Sequence, residues 1–181
     1  MNYMSGTASG GKYVDDVTIA GLKSVNQTFL SVTSTADLDT DADGVIGMGF
    51  SAIAQDKGTT FFENLVASGA VEKDEFSFYL GRATSGTADD SELTIGGRDS
   101  AKHTGSFIIV PVTSRGYWLV ALDNMKVNGH IAGPNTEGQA AIDTGSSTIT
   151  APHIAAKQIM SQIPGSLAIP VRDSGSTTYL L

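Results

Sequence analysis

Cysteine is absent from these 181 residues, so disulfides, thiolate metal sites and a cysteine nucleophile are excluded together. Basic residues are scarce. Eleven Lys and Arg stand against 19 Asp and Glu, and a formal charge of −8 argues against nucleic acid, because little here can neutralise a phosphate backbone. No apolar run approaches the roughly 18 residues a membrane-spanning helix needs, so no membrane partner is expected. The three histidines, His103, His130 and His153, are far apart and lack the i, i+4 spacing of a helical metal pair, so no metal site is expected either. No Gly-x-Ser-x-Gly elbow marks a serine nucleophile. The opening MNYMSGTASGGKY has neither a basic stretch nor an apolar centre and reads as part of a hairpin rather than as a secretory leader.

What is present is small, branched and turn-rich. Glycine occurs 21 times, and short apolar runs alternate with turn residues: YVDDVTIAGL, TFLSVTS, GVIGMGF, EFSFYLG, ELTIGG, SFIIVPV, YWLVALDNMKVNG and AAIDTG. This rhythm predicts an all-β fold, mainly strands with two short helices. One helix is expected in TTFFENLVASG, where Thr60 and Glu63 form a capping box and Gly69 suits the stop. The other is expected in TAPHIAAKQIMSQIPG, with Thr150 as cap, Pro152 in the first turn and Pro164-Gly165 as the end. ATSGTADDSE at 83–92 is a predicted hairpin tip.

Two acidic motifs invite chemistry. DTDADG places Asp39, Asp41, Asp43 and Gly44 like the opening of a calcium loop, but the twelfth position, which must supply a bidentate carboxylate, is Phe50. It reads as an acidic turn before a buried strand GVIGMGF. AAIDTGSSTIT at 140–150 differs, because Asp143 stands alone between an apolar strand and a turn of small residues. Gly145 lets the backbone approach the carboxylate, Thr144 can bridge to a neighbouring strand, and Ser146 can bond an outer carboxylate oxygen. Asn26-Gln27-Thr28 is a glycosylation sequon, meaningful on a secretory route.

With AAIDTGSSTITAP, the stretches DGVIGMGF, FFENLVASGAVEKDEFSFYLGR, ELTIGGRDSAKHTGSFIIVPV and GYWLVALDNMKVNG carry a resemblance that covers essentially the whole chain. It resembles the pepsin-like aspartic endopeptidases, family A1, and within them secreted fungal-type members. The resemblance implies two β lobes around a substrate cleft, here a partial bilobal acid-protease fold. Residues 1–110 would be a partial N-terminal lobe and 111–181 a partial C-terminal lobe. Asp143 is similar to the C-terminal lobe's catalytic aspartate, and Val45-Ile46-Gly47 to the hydrophobic-hydrophobic-Gly segment of the other lobe. Tyr3, Ser5 and Gly6 match the flap hairpin, with Met4 departing from the family's usual glycine. Val45, Tyr117, Gly145, Ser146 and Ser147 would join them in binding substrate. A peptide or protein substrate, no cofactor, an extracellular location and a monomeric intact enzyme are likewise implied.

The family's mechanism needs two carboxylates sharing one proton around a water. This chain offers one Asp-Thr-Gly. RDSGS at 172–176 has Arg172 where an apolar residue belongs and comes after Asp143, so it reads as a loop. The chain is therefore expected to be a family member shortened at both ends. A non-catalytic peptide-binding or inhibitory relative is the alternative, against which the intact Asp-Thr-Gly-Ser argues. The expected outcome is that the 181-residue chain cleaves a peptide no faster than buffer does. A rate well above buffer, abolished by Asp143→Asn, would show that one carboxylate suffices.

Overall fold

The computed structural model describes residues 6–37, 42–81, 90–132, 138–146, 148–170 and 177–180. The chain divides into two compact units, Met1–Ile108 and Ile109–Leu181.

The first unit is organised on a long antiparallel hairpin of β1 (Thr7–Ile19) and β2 (Leu22–Ala36). Ala20 and Gly21 close it with φ of 49° and 82°, the left-handed pair that matches strand twist in a two-residue turn. Two register shifts interrupt the ladder, at Ser9/Gly10 and Asp15/Val17. At the first, a side chain on Gly10 would run into the Ser31 carbonyl, so the bulge needs glycine there.

Helix α1 (Phe61–Ala67) lies beside β2 and buries Phe61 and Leu65. Its capping box forms as expected: Thr60 Oγ1 accepts the Glu63 amide at 3.3 Å, and Glu63 Oε2 accepts the Thr60 amide at 3.2 Å. Gly69, at φ 68°, ends the helix. Its amide reaches the Val66 carbonyl and the Ala70 amide reaches that of Leu65, which also accepts the Ser68 hydroxyl at 3.1 Å, so the last turn's carbonyls are used. Between hairpin and helix lies the buried Gln27. Ser24 Oγ and Asn64 Nδ2 donate to its Oε1, and its Nε2 donates to the carbonyls of Thr28 and Thr59. Both amide hydrogens and the amide oxygen are engaged, so burial costs little. β3 (Phe76–Tyr79) pairs antiparallel with β4 (Glu92–Ile95), and Phe62 of α1 meets Phe76 edge-on at 4.9 Å.

In the second unit β5 (Val112–Arg115), β6 (Trp118–Leu122) and β9 (Gly138–Ala141) form a three-stranded antiparallel sheet in the order β5-β6-β9. β7 (Met125–Val127) and β8 (His130–Ala132) form a hairpin closed by Asn128-Gly129, again with two positive φ values. α2 (His153–Met160) packs beside that hairpin, and Gln162 Nε2 donates to the Ile131 carbonyl at 3.0 Å. β10 (Leu167–Pro170) pairs with β11 (Thr177–Leu180). The all-β expectation with two short helices holds.

Three local expectations fail. The buried strand over GVIGMGF does not form: residues 44–50 are irregular and Val45 is 64% exposed. SFIIVPV stays unpaired until Val112, leaving Ile108 and Ile109 at 91% and 88% exposure. A period-two pattern makes a segment able to be a strand, but a ladder also needs a paired strand edge, and residues 44–50 and 106–111 join no sheet. The second helix begins at His153 with Pro152 as its N-cap, so Thr150 does not cap it. It also ends at Met160, short of Pro164-Gly165, and a succession of tight turns occupies the interval. The first half of DTDADG (39–41), most of the 83–92 loop and all of RDSGS lie outside the described residues.

Glu63 ties α1 to stability in acid. Burial pushes its carboxyl up, but hydrogen bonds from Ser51 and Thr60 more than offset this and hold it below the usual 4.5. A depressed native value means the stabilisation is present above about pH 4.5 and disappears as pH falls through that native value. Thr60→Ala should cost about 1 kcal/mol in urea unfolding at neutral pH. Glu63→Gln should flatten the loss of stability with acidification, and an unchanged slope would remove Glu63 from the account.

Candidate active site

The geometry around Asp143 begins one strand away. β6 pairs with β9 from Leu122↔Gly138 to Leu119↔Ala141, and the Ile142 amide adds a last bond to the Trp118 carbonyl at 3.0 Å. The backbone is thus held up to the residue before the carboxylate, and the chain leaves the sheet at Asp143. Thr144 and Gly145 form the turn. Asp143 Oδ1 accepts the Gly145 amide at 2.9 Å, and Oδ2 accepts the Ser146 hydroxyl at 2.9 Å. This is the local bonding that Asp favours in turns, here with both carboxylate oxygens used. A Cβ on Gly145 would lie 3.2 Å from Oδ1, a tight contact that glycine avoids.

Asp143 is exposed, as are Ile142, Thr144, Gly145 and Ser146. The carboxylate is therefore aimed without being buried, and each oxygen keeps a lone-pair direction for another donor. Such a group can take a proton from a water or accept a bond from a ligand. A water held between two acids would need a second carboxyl group in addition.

Tyr117 belongs to the same end of the same sheet. The β5–β6 hairpin turns at Gly116-Tyr117, with Arg115 opposite Trp118. Since Trp118 stands opposite Ile142, the register places Tyr117 and Asp143 next along the two neighbouring strands. Tyr117 is 57% exposed. A shallow concavity of about 440 Å³ opens at the other end, lined by Thr113, Ala121, Leu122, Asp123, Gly138 and Gln139. It does not include Asp143, and the carboxylate turn is better described as a projecting edge than as the wall of a pocket.

The remaining candidates belong to the first unit or lie outside the described residues. Gly6 precedes β1, where an added Cβ would strike the backbone of Ala36 and Asp37 at the open end of the hairpin. Val45 sits in the irregular segment after Asp43. Tyr3, Ser5 and Ser147 lie outside the described residues. Among the described residues no group of three His, Asp or Glu side chains is gathered as a metal would require. The sequence gives little notice of Trp118 as the backbone anchor of this site. Its contribution is a carbonyl, which no side-chain motif reports.

A family model described as eukaryotic aspartyl protease matches residues 1–171. The chain is similar to cathepsin E-A of Xenopus laevis, with 36% identity over 171 residues, 93% of this chain and 43% of that protein. It is similar to an aspartic protease of Phaffia rhodozyma, with 38% identity over 165 residues, 90% of this chain and 39% of that protein. Pepsin-2B of Gadus morhua is 39% identical over 170 residues, 92% of this chain and 51% of that protein. The chain thus spans about half, or somewhat less, of the length of these relatives.

Proposed function

Because the chain belongs to the eukaryotic aspartyl protease family, we propose that Asp143 is one of two aspartates with which the whole protein hydrolyses peptide bonds. The observation that carries this is the turn itself: a lone carboxylate at a strand end, one oxygen on the Gly145 amide and the other on the Ser146 hydroxyl. In such a pair one carboxylate takes a proton from the water while the water oxygen attacks the scissile carbonyl carbon. The other acid protonates the carbonyl oxygen, and collapse of the tetrahedral intermediate with proton transfer to nitrogen releases the amine. Sharing one proton is what allows two acids to stand so close, so the reaction runs best in acid and slows as that proton is lost.

Residues 1–110 are read as part of one lobe and 111–181 as part of the other. Tyr3, Ser5, Gly6 and Val45 would face substrate from the first, and Tyr117, Gly145, Ser146 and Ser147 from the second. The apolar character of Val45 and the two tyrosines suits apolar substrate side chains beside the scissile bond. The partner aspartate is read as belonging to sequence beyond these 181 residues, and the isolated segment as inactive. The names of the relatives, cathepsin and pepsin, support a secretory route. We read the intact enzyme as extracellular and monomeric.

The test uses the whole protein. Asp143→Asn should lower kcat/KM on a peptide with apolar flanking residues by at least about a thousandfold, leaving binding of that peptide measurable. Stability should change by less than about 0.5 kcal/mol, since Asp143 is exposed. Retention of cleavage by the variant would refute the assignment. A wild-type protein that binds the peptide without cutting it would favour a non-catalytic peptide-binding role.

A further inference from the structure

We propose that Asn26 is a site of N-linked glycosylation, carrying an oligosaccharide on the outer face of the β1–β2 hairpin. The inference rests on the secretory-route reading given above, and its test separates the two.

Three residues, Asn26, Gln27 and Thr28, make an acceptor sequon, in which the hydroxyl two positions on is part of what the transferring enzyme recognises. The fold then treats the two successive amides in opposite ways. Gln27 is buried, with all its amide bonds directed to Ser24, Thr28, Thr59 and Asn64. Asn26 is exposed, and among the described residues its side-chain amide makes no hydrogen bond.

The reason is the second irregularity of the ladder. Asp15 pairs with Gln27 and Val17 with Ser24, so Val25 and Asn26 together oppose the lone Asp16. Asn26 takes φ 55°, a left-handed backbone that asparagine tolerates better than most residues. Its amide N–H donates to Asp16 Oδ1 at 3.0 Å, and Lys23 Nζ holds Asp16 Oδ2 at 2.6 Å. The Lys23 ammonium and the Asn26 amide keep the Asp16 carboxyl below its usual value, so this clasp persists in mild acid. The bulge therefore fixes the backbone of Asn26 and leaves its Nδ2 to solvent.

The surroundings suit a covering sugar. Val25, beside Asn26, and Val14, opposite Thr28, are 58% and 59% exposed. A hydrated oligosaccharide over these two side chains would screen apolar surface on a face that α1 does not occupy. The chemistry is a glycosyl transfer. The Asn26 Nδ2–C1 bond forms as the bond from C1 to the pyrophosphate of a polyisoprenyl-linked oligosaccharide breaks. Nδ2 gives up one proton, and the polyisoprenyl pyrophosphate leaves.

The experiment takes the whole protein from its own cells, separately from medium and from the membrane-enclosed secretory fraction. Tryptic cleavage after Lys23 yields a peptide that starts at Ser24. Treatment with a peptide-N-glycosidase should collapse a heavier form of that peptide to one carrying Asp at position 26. Thr28→Ala and Asn26→Gln should each abolish the heavier form, whereas Thr28→Ser should retain it. Thr28→Ala leaves Asn26 in its bulge, so its loss of sugar cannot be ascribed to a disturbed turn. An unmodified Ser24 peptide from protein recovered in the medium would overturn the glycan while leaving the secretory route standing. Protein confined to the cytosol with that peptide unmodified would overturn both.

Discussion

One backbone hydrogen bond governs the candidate site. Where the Ile142 amide meets the Trp118 carbonyl, the β6–β9 ladder ends, and the next residue is Asp143. An exposed carboxylate on a free loop would sample many directions. Here the strand fixes the Cα position, and the Gly145 amide and Ser146 hydroxyl fix the two oxygens. Orientation is obtained without burial, which avoids the desolvation cost of an unpaired carboxylate. A side chain at 145 would meet Oδ1 at 3.2 Å, so glycine lets its amide approach the carboxylate without crowding it.

The same economy of polar groups holds the other unit together. Gln27 sits between β2 and α1 with its amide fully engaged, and Glu63 joins the capping box to the Ser51 amide. Full burial of apolar side chains among the described residues is limited to Ala8, Phe61, Leu65 and Ala132. Hydrogen-bonded caps and hubs therefore carry an unusual share of the local order. They are sensitive to single substitutions, because removing one partner strands another. They also divide the hairpin into a face committed to α1 and a face left to solvent, on which Asn26 stands.

The two helices differ in how far their sequences foretell them. α1 was legible residue by residue, because Thr60, Glu63 and Gly69 act on atoms within one turn of themselves. α2 was legible only in outline. Thr150 has the right chemistry for a cap, yet Pro152 already fixes the extended-to-helical change two residues later. Strands showed the same contrast. β3, β4, β6 and β9 appear where alternation placed them, since each has a partner edge. GVIGMGF and residues 106–111 of SFIIVPV have the same alternation but join no sheet, so the pattern remains unused.

By itself the sequence determined the class of fold, the two helical positions, the exclusion of thiol chemistry and the identity of Asp143 as the acid to watch. Each of these depends on residue type and short-range spacing, which a linear chain displays in full. Tertiary structure alone decided that Trp118 anchors that acid, that Tyr117 shares its sheet end, and that Asn26 faces outward while Gln27 faces in. Those facts depend on which backbone edges meet and in what register. Contacts such as Ile142 on Trp118, and Thr59 and Asn64 on Gln27, join residues more than twenty positions apart, and no side-chain motif spells them out.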